Sequence, residues 1–397
     1  MSGSDGKRVN KLLSIDKKHL TFFEAVSIVA GLGMGGGIMA VPFLASLNGM
    51  IQVLLIMGAA FLINVLLHLM VVEVVLRDEE PKQLVEVFGK YLFIRGSWGK
   101  LLNWLFFGLI VVTFYSLLAA YIVGCGEIIK EIVGLPLWLG KIITYLICAG
   151  VVFFGLKALG ISEKWALIGH IIVLLILVLG TSLVPWNRLP LLSGNLKTGL
   201  ALYGMIMFSL ACFFSVPQAA EGLTWNKKLI PRAVILGISI NFVGIMIMTF
   251  MAMLASHRVT EIAILGLGEA VGKWALILGS VFAFLSMLAC YWSVSYALAV
   301  ILEERLKWNY RLAWLAATFP TFLLAIPDLT SFQGSMRYAG GAMAVLTAIL
   351  VVPALALSRR AGGKPAFHTG FWGGPIFQFL IILAYLVMAV GSMVKYK

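Results

Sequence analysis

The sequence predicts an all-α polytopic membrane protein with about eleven transmembrane helices. They are set out as a 5+5 inverted repeat with one additional C-terminal helix. Three observations carry this prediction. Of the 397 residues, 61% are hydrophobic and only 12% charged, with a mean hydropathy of +1.02, whereas a soluble domain carries roughly a quarter charged residues. Apolar runs of about 20 residues, the length that crosses a bilayer, succeed one another from Thr21 to Val394. The first and sixth runs are each interrupted by glycine, proline or polar residues. Paired breaks at corresponding places in two halves point to the binding site of a secondary transporter. An odd repeat length of five makes the second copy enter the membrane from the opposite side, as inversion requires.

Residues 1–20 form a polar arm with Lys7, Arg8, Lys11, Lys17 and Lys18, expected in the cytoplasm. The arm lacks the apolar core and small-residue cleavage site of a signal peptide. The first repeat, residues 21–182, holds spans one (Thr21–Leu47), two (Met50–Leu76), three (Leu101–Ile129), four (Leu137–Leu156) and five (Ser162–Ser182). Between spans two and three, Pro81–Tyr91 reads as a short amphipathic helix at the membrane interface. Residues 183–197, with Pro185, Trp186, Arg188 and Pro190, suit an outer connection. The second repeat, residues 198–357, holds spans six (Thr198–Leu223), seven (Pro231–Ala255), eight (Gly272–Leu302), nine (Ala313–Ile326) and ten (Gly334–Leu357). Residues 358–397 supply a loop and span eleven (Gly374–Val394).

Span one contains Gly31, Gly33, Gly35, Gly36 and Gly37, with Pro42 close behind. Each glycine costs a helix about 1 kcal/mol relative to alanine, so a continuous helix is not expected there. Open backbone inside a bilayer survives only where protein buries it or a cavity solvates it. Span six is expected to break at Phe213–Gln218, around Pro217.

The net charge of +13 reports topology and not nucleic acid, because the basic residues are scattered among short loops. With the N-terminus inside, the inner segments hold better than two-thirds of the 30 basic residues. That bias predicts a cytoplasmic N-terminus and an extracytoplasmic C-terminus in a plasma (inner) membrane. Cys125, Cys148, Cys212 and Cys290 all fall inside predicted spans without metal-ligand spacing. They read as buried thiols, and no metal site, cofactor or disulfide is expected.

Three patches resemble a known superfamily. Gly35-Gly36-Gly37-Ile38-Met39-Ala40-Val41-Pro42-Phe43 resembles the G-x-G-I-x-x-x-P-aromatic signature of the amino acid/auxin permease family, which includes the sodium-coupled neutral amino acid transporters. Phe208 through Cys212, Val216 and Pro217 to Glu221 is similar to that family's broken sixth helix. Glu221 to Ala233, with Asn226, Pro231 and Arg232, looks like the E-x-x-x-x-N-x-x-x-x-P-R-A loop of the amino acid–polyamine–organocation superfamily. The resemblance implies a leucine-transporter-like fold that carries amino acids by alternating access, coupled to H⁺ or Na⁺.

A zwitterionic substrate needs both its charges satisfied at the midplane. Unwinding near Gly33, Gly35, Gly36 and Gly37 would offer N–H groups and a half-helix N-terminus to its carboxylate. Carbonyls around Cys212, Phe213 and Ser215 would accept from its ammonium. Phe208, Phe213 and Phe214 are candidate walls for the substrate side chain. The same glycines at Gly33 and Gly37 also fit small-xxx-small packing between helices.

His170, within span five, is the ionisable residue singled out for coupling. Counted from Gly155-Leu156-Lys157, which resembles the superfamily's G-V-K loop, it falls where some proton-coupled members place a lysine. A neutral histidine bonded between helices is the alternative. Sodium would need hydroxyls on span eight, where Ser293 fits best, yet Cys290, Tyr291 and Trp292 stand beside it, which favours protons. The expected partners are an amino acid and the lipid bilayer, with the protein a monomer. A transport-inactive amino acid sensor of the same fold is the alternative function. No paired carboxylates or nucleophile motif supports an enzyme.

Overall fold

The computed structural model describes residues 19–35, 37–93, 96–256, 258–260, 263–327 and 341–394. Span one forms two helices, α1 (Phe22–Gly33) and α2 (Gly37–Ser46), whose axes bend by 52°. Thr21 starts α1 with a capping box: its hydroxyl accepts from the Glu24 N–H, and Glu24 accepts from the Thr21 N–H at 2.8 Å. Next come α3 (Met50–Val75), the short α4 (Leu84–Tyr91), α5 (Gly96–Val133), α6 (Leu137–Phe153) and α7 (Leu156–Thr181). The amphipathic α4 buries Leu84, Val85, Val87, Phe88 and Tyr91 against the bundle, with the Phe88 and Phe106 rings 5.6 Å apart.

Span six is also two helices, α8 (Leu196–Ser209) and α9 (Ser215–Gly222). The break falls at Leu210–Phe214, a few residues earlier than Phe213–Gln218. Pro217 lies in the first turn of α9, where an absent N–H leaves no helix bond unmade, so the proline continues the helix and does not mark the break. A 3₁₀ segment (Thr224–Leu229) leads to α10 (Ile230–Ala255). A short helix that the hydropathy pattern did not suggest, α11 (Ala263–Val271), precedes α12 (Lys273–Leu306) and packs on it, Ile264 filling the space above Gly279. The chain closes with α13 (Tyr310–Ala325), α14 (Gly341–Arg360) and α15 (Pro375–Met393). The expected start of span ten, from Gly334, lies outside the described residues.

Among the described residues six helices are long and apolar enough to cross a bilayer alone, or seven if the bent α1–α2 pair counts as one. The other expected spans correspond to α6 with 17 residues, the broken α8–α9 pair, α13 with 16, and α14.

The two broken spans lie side by side. Helix α1 packs on α9, and α2 packs on α8. The Leu20 N–H donates to the Gly222 carbonyl at 3.0 Å, and the Trp225 indole donates to the Leu20 carbonyl at 3.1 Å. Around this pair stand α3, α7, α10 and α12, and α5 packs on α12.

Two carboxylates at helix ends are taken up by protein partners. Glu73 on α3 is completely buried, with Arg77 at 2.9 Å, Arg359 at 2.8 Å and the Thr369 hydroxyl at 2.6 Å. Glu24 pairs with Lys157 at the start of α7, at 2.7 Å. His68 on α3 is buried too, its Nδ1 2.6 Å from the Asn64 carbonyl and its ring against Phe213.

Candidate functional site

The glycines of span one are approached by polar side chains from five different helices. A Cβ at Gly31 would overlap the carboxylate of Glu163 on α7, and one at Gly33 would overlap the amide of Asn241 on α10. At Gly35 it would come within 2.6 Å of the Cys290 Sγ on α12 and 3.6 Å of the Tyr121 hydroxyl on α5. At Gly37 it would overlap the hydroxyl of Ser209 at the end of α8. A bilayer interior leaves polar side chains few places to go, and here they converge on glycines whose backbone they can approach closely. Gly36 lies outside the described residues.

These contacts are hydrogen-bonded onward. The Cys290 thiol lies 3.5 Å from the Gly31 carbonyl and 3.2 Å from that of Leu32, two of the acceptors left open where α1 ends. Asn241 Nδ2 donates to the Ser209 carbonyl at 2.9 Å, tying α10 to the end of α8 beside Gly33. Ser293 Oγ on α12 donates to Glu163 Oε1 at 2.7 Å. Gln218 Nε2 on α9 donates to the Ser293 carbonyl at 2.8 Å, which joins the second broken span to the same cluster.

In the break of span six the side chains cap their own backbone. The Cys212 thiol turns to the Leu210 carbonyl, and the Ser215 hydroxyl donates to the Cys212 carbonyl at 2.6 Å. The two phenylalanines diverge. Phe213 faces His68 on α3 with ring centroids 5.8 Å apart, and Phe214 meets Phe114 on α5 edge-on at 4.9 Å. Phe208 lines a small crevice with Leu44, Gly204 and Gly391, on the side of α15.

Ser293 thus stands against the span-one break, in contact with Glu163. His170 lies seven residues beyond Glu163 on α7, and its Nε2 is 2.9 Å from the Ser286 hydroxyl. The Ser286 hydroxyl also lies 2.9 Å from the Phe282 carbonyl one turn earlier on α12. His170 and Met34 border an apolar cavity of about 390 Å³ between α7 and α10. That face of α7 also carries the exposed Ile171 and Leu175.

Glu163 is the residue that sequence reasoning missed. With span five drawn from Ser162, it sat at the edge of the membrane, where a carboxylate is unremarkable. Helix α7 begins at Leu156 instead, which carries Glu163 about 10 Å further along the axis at 1.5 Å per residue. The Gly155-Leu156-Lys157 turn was the available signal. Gly155 has φ of +86°, a conformation that glycine adopts readily, and it marks the helix start.

Paired helix breaks, packed α1 against α9 and α2 against α8 and joined by a buried polar cluster, define a membrane carrier of the discontinuous-helix type. The sequence matches the family model of the tryptophan/tyrosine permease family over residues 18–392, and the chain belongs to that family. Its fold is similar to that of MhsT in complex with L-phenylalanine, at TM-score 0.67 and 14% identity, covering 95% of this chain and 99% of that one. It is also similar to Mhp1, a nucleobase-cation-symport-1 family transporter in a closed conformation with bromovinylhydantoin bound. There the TM-score is 0.61 and the identity 14%, covering 95% of this chain and 91% of that one. Among curated proteins none matches the sequence. The fold is therefore the leucine-transporter-like one, and the protein is a permease of the amino acid–polyamine–organocation type, a secondary transporter of amino acids or related substrates and not an enzyme.

Proposed function

We propose that the protein moves neutral amino acids, aromatic ones above all, across the membrane by alternating access, with the uphill step coupled to H⁺ in preference to Na⁺. The observation that carries this reading is the side-by-side placement of the two broken spans, α1 with α9 and α2 with α8. A bilayer-buried break is a costly feature that recurs where a zwitterion must be held. The family name, the phenylalanine in the MhsT complex and the aromatic residues Phe114, Phe213 and Phe214 beside the span-six break support an aromatic side chain as cargo. The amino acid/auxin permease resemblance of Gly35–Phe43 supports amino acid cargo independently.

In this reading the N-terminus of α2, near Gly35, Gly36 and Gly37, receives the substrate carboxylate. The Cys212–Ser215 backbone receives the ammonium, and Phe208 and Phe213 bound the side chain. Residues 21–182 and 198–357 are the two repeats that rock against each other. The protein acts as a monomer in the plasma membrane, its N-terminus cytoplasmic. His170 and Ser293 belong to the coupling machinery, Ser293 through its contact with Glu163.

Uptake of labelled amino acids into proteoliposomes tests the reading, with pH and Na⁺ gradients imposed separately. The expected result is accumulation of tryptophan, tyrosine or phenylalanine under an inward proton gradient. Absence of accumulation of any amino acid under either gradient overturns it.

A further inference from the structure

Glu163 sits in the polar junction beside the break of span one. Its side chain is completely buried in α7, facing the end of α1. Oε1 accepts from Ser293, but Oε2 has no hydrogen-bond partner among the described residues. Among the described residues no cation is paired with it. The helices packed on α7 are α1, α6, α9, α10 and α12, and their charged groups are engaged or remote. On α1, Glu24 is paired with Lys157 of α7 itself. On α6, Lys141 donates to the Ala325 carbonyl at 2.8 Å. On α9, Glu221 accepts from Tyr296 at 3.3 Å. On α10, Arg232 is exposed. From α12 come the Cys290 thiol, turned to the Gly31 and Leu32 carbonyls, and Ser293. Further along α7, Lys164 lies over the Trp165 ring and His170 is bonded to Ser286.

We propose that Glu163 is the proton carrier of the transport cycle, neutral when α1 is packed on α7 and ionised when that contact opens to water. This inference rests on the carrier reading above. An unpaired, buried carboxylate is far more costly than the corresponding neutral acid, so the packed arrangement favours the protonated group. Glu163 lies directly against Gly31, two residues before the end of α1, so separation of α1 from α7 is what brings water to it. The proton enters at the Glu163 carboxylate from one side of the membrane and leaves from the same oxygen to the other.

The Cys290 thiol weighs against a metal cation at this position. A hard cation collects oxygen ligands. Here the carbonyls of Gly31 and Leu32 are covered by the Cys290 sulfur, which a hard cation would have to displace. Glycine at position 31 is part of the same device, because any side chain there would displace the carboxylate.

The test uses the full chain in proteoliposomes and in detergent. Wild-type protein is expected to accumulate substrate under a pH gradient, and to take up protons on binding it, read by a pH-indicator dye in weak buffer. Glu163→Gln should lose both, while counterflow exchange persists at a reduced rate that no longer varies with pH. Glu163→Asp should restore part of the gradient-driven accumulation. Should Glu163→Gln fail to insert, Ser293→Ala is the second variant. Removing the donor to the carboxylate should move the pH profile of transport towards alkaline pH without abolishing it, and an unmoved profile counts against the proposal.

Gradient-driven accumulation or proton uptake by Glu163→Gln equal to wild type overturns the assignment and leaves the carrier reading standing. So does wild-type accumulation driven by Na⁺ alone. A wild-type protein that accumulates no amino acid under either gradient overturns the carrier reading and this assignment with it.

Discussion

The two helix breaks of this protein solve the same problem by opposite means. In span one the chain presents bare glycine backbone, and neighbouring helices bring Glu163, Asn241, Cys290 and Ser209 to it. In span six the chain brings its own bulk, Phe213 and Phe214, and its own caps, the Cys212 thiol and the Ser215 hydroxyl. The first break is therefore a polar junction where five helices meet. The second is a self-capped turn that projects aromatic rings towards α3 and α5. The proposed alternating-access cycle would use both, the first break for coupling and the second for the substrate side chain.

The sharpest way to break this contrast is to give span one a side chain. Gly33→Leu places a branched group where the Asn241 amide lies and strips the Ser209 carbonyl of its donor. Overpacking costs about 1–3 kcal/mol, and an orphaned buried acceptor adds about 1–3 kcal/mol. Transport is expected to be lost while the protein still inserts, as checked by uptake alongside gel filtration of the extracted protein. Wild-type uptake would show that the junction is packing alone. Asn241→Leu follows with a smaller loss, because it removes the same bond without adding bulk to α1. A drop in transport of roughly tenfold, with substrate selectivity unchanged, corresponds to about 1.4 kcal/mol.

For the second break the expected signature is selectivity. Phe214→Ala removes the edge-on contact with Phe114, a pair worth about 0.5–1.5 kcal/mol beyond its area. Competition uptake should show the preference for aromatic over aliphatic amino acids falling by up to about tenfold, with the proton dependence intact. A variant that instead lost its proton dependence would merge the two breaks into one function.

Much of this was legible in the sequence for a simple reason. Spans and breaks are written in residue types that have few other uses in a bilayer, such as runs of leucine and valine, or five glycines within seven residues. The paired interruption of spans one and six and the amphipathic α4 both follow from such local patterns. What was not legible depends on registers that no local pattern records. Glu163 was hidden because a shift of six residues in the start of α7 separates an interfacial carboxylate from a buried one. Pro217 misplaced the second break because proline both interrupts helices and begins them. His170 stands out in sequence as a lone histidine in an apolar run, yet its neighbour across the interface is Ser286 and not the broken backbone. Which polar residue meets which glycine is decided by how α7, α10 and α12 cross α1, and that is a property of packing.

The smallest effect is expected where the contrast is most literal, at Ser215. Its hydroxyl donates to the Cys212 carbonyl three residues earlier, a contact internal to the break. Removing it in Ser215→Ala leaves one carbonyl that still accepts from the Ser215 backbone N–H at 3.0 Å, so no buried acceptor is orphaned. The cost should then be that of one net hydrogen bond, about 0.5–1.5 kcal/mol, read as a small fall in thermal stability of the purified protein. Substrate affinity should change little if the hydroxyl serves only the turn. A large loss of affinity with stability preserved would mean that the hydroxyl leaves Cys212 to meet the substrate, and the second break would then bind cargo with polar groups as well as walling it with aromatic ones.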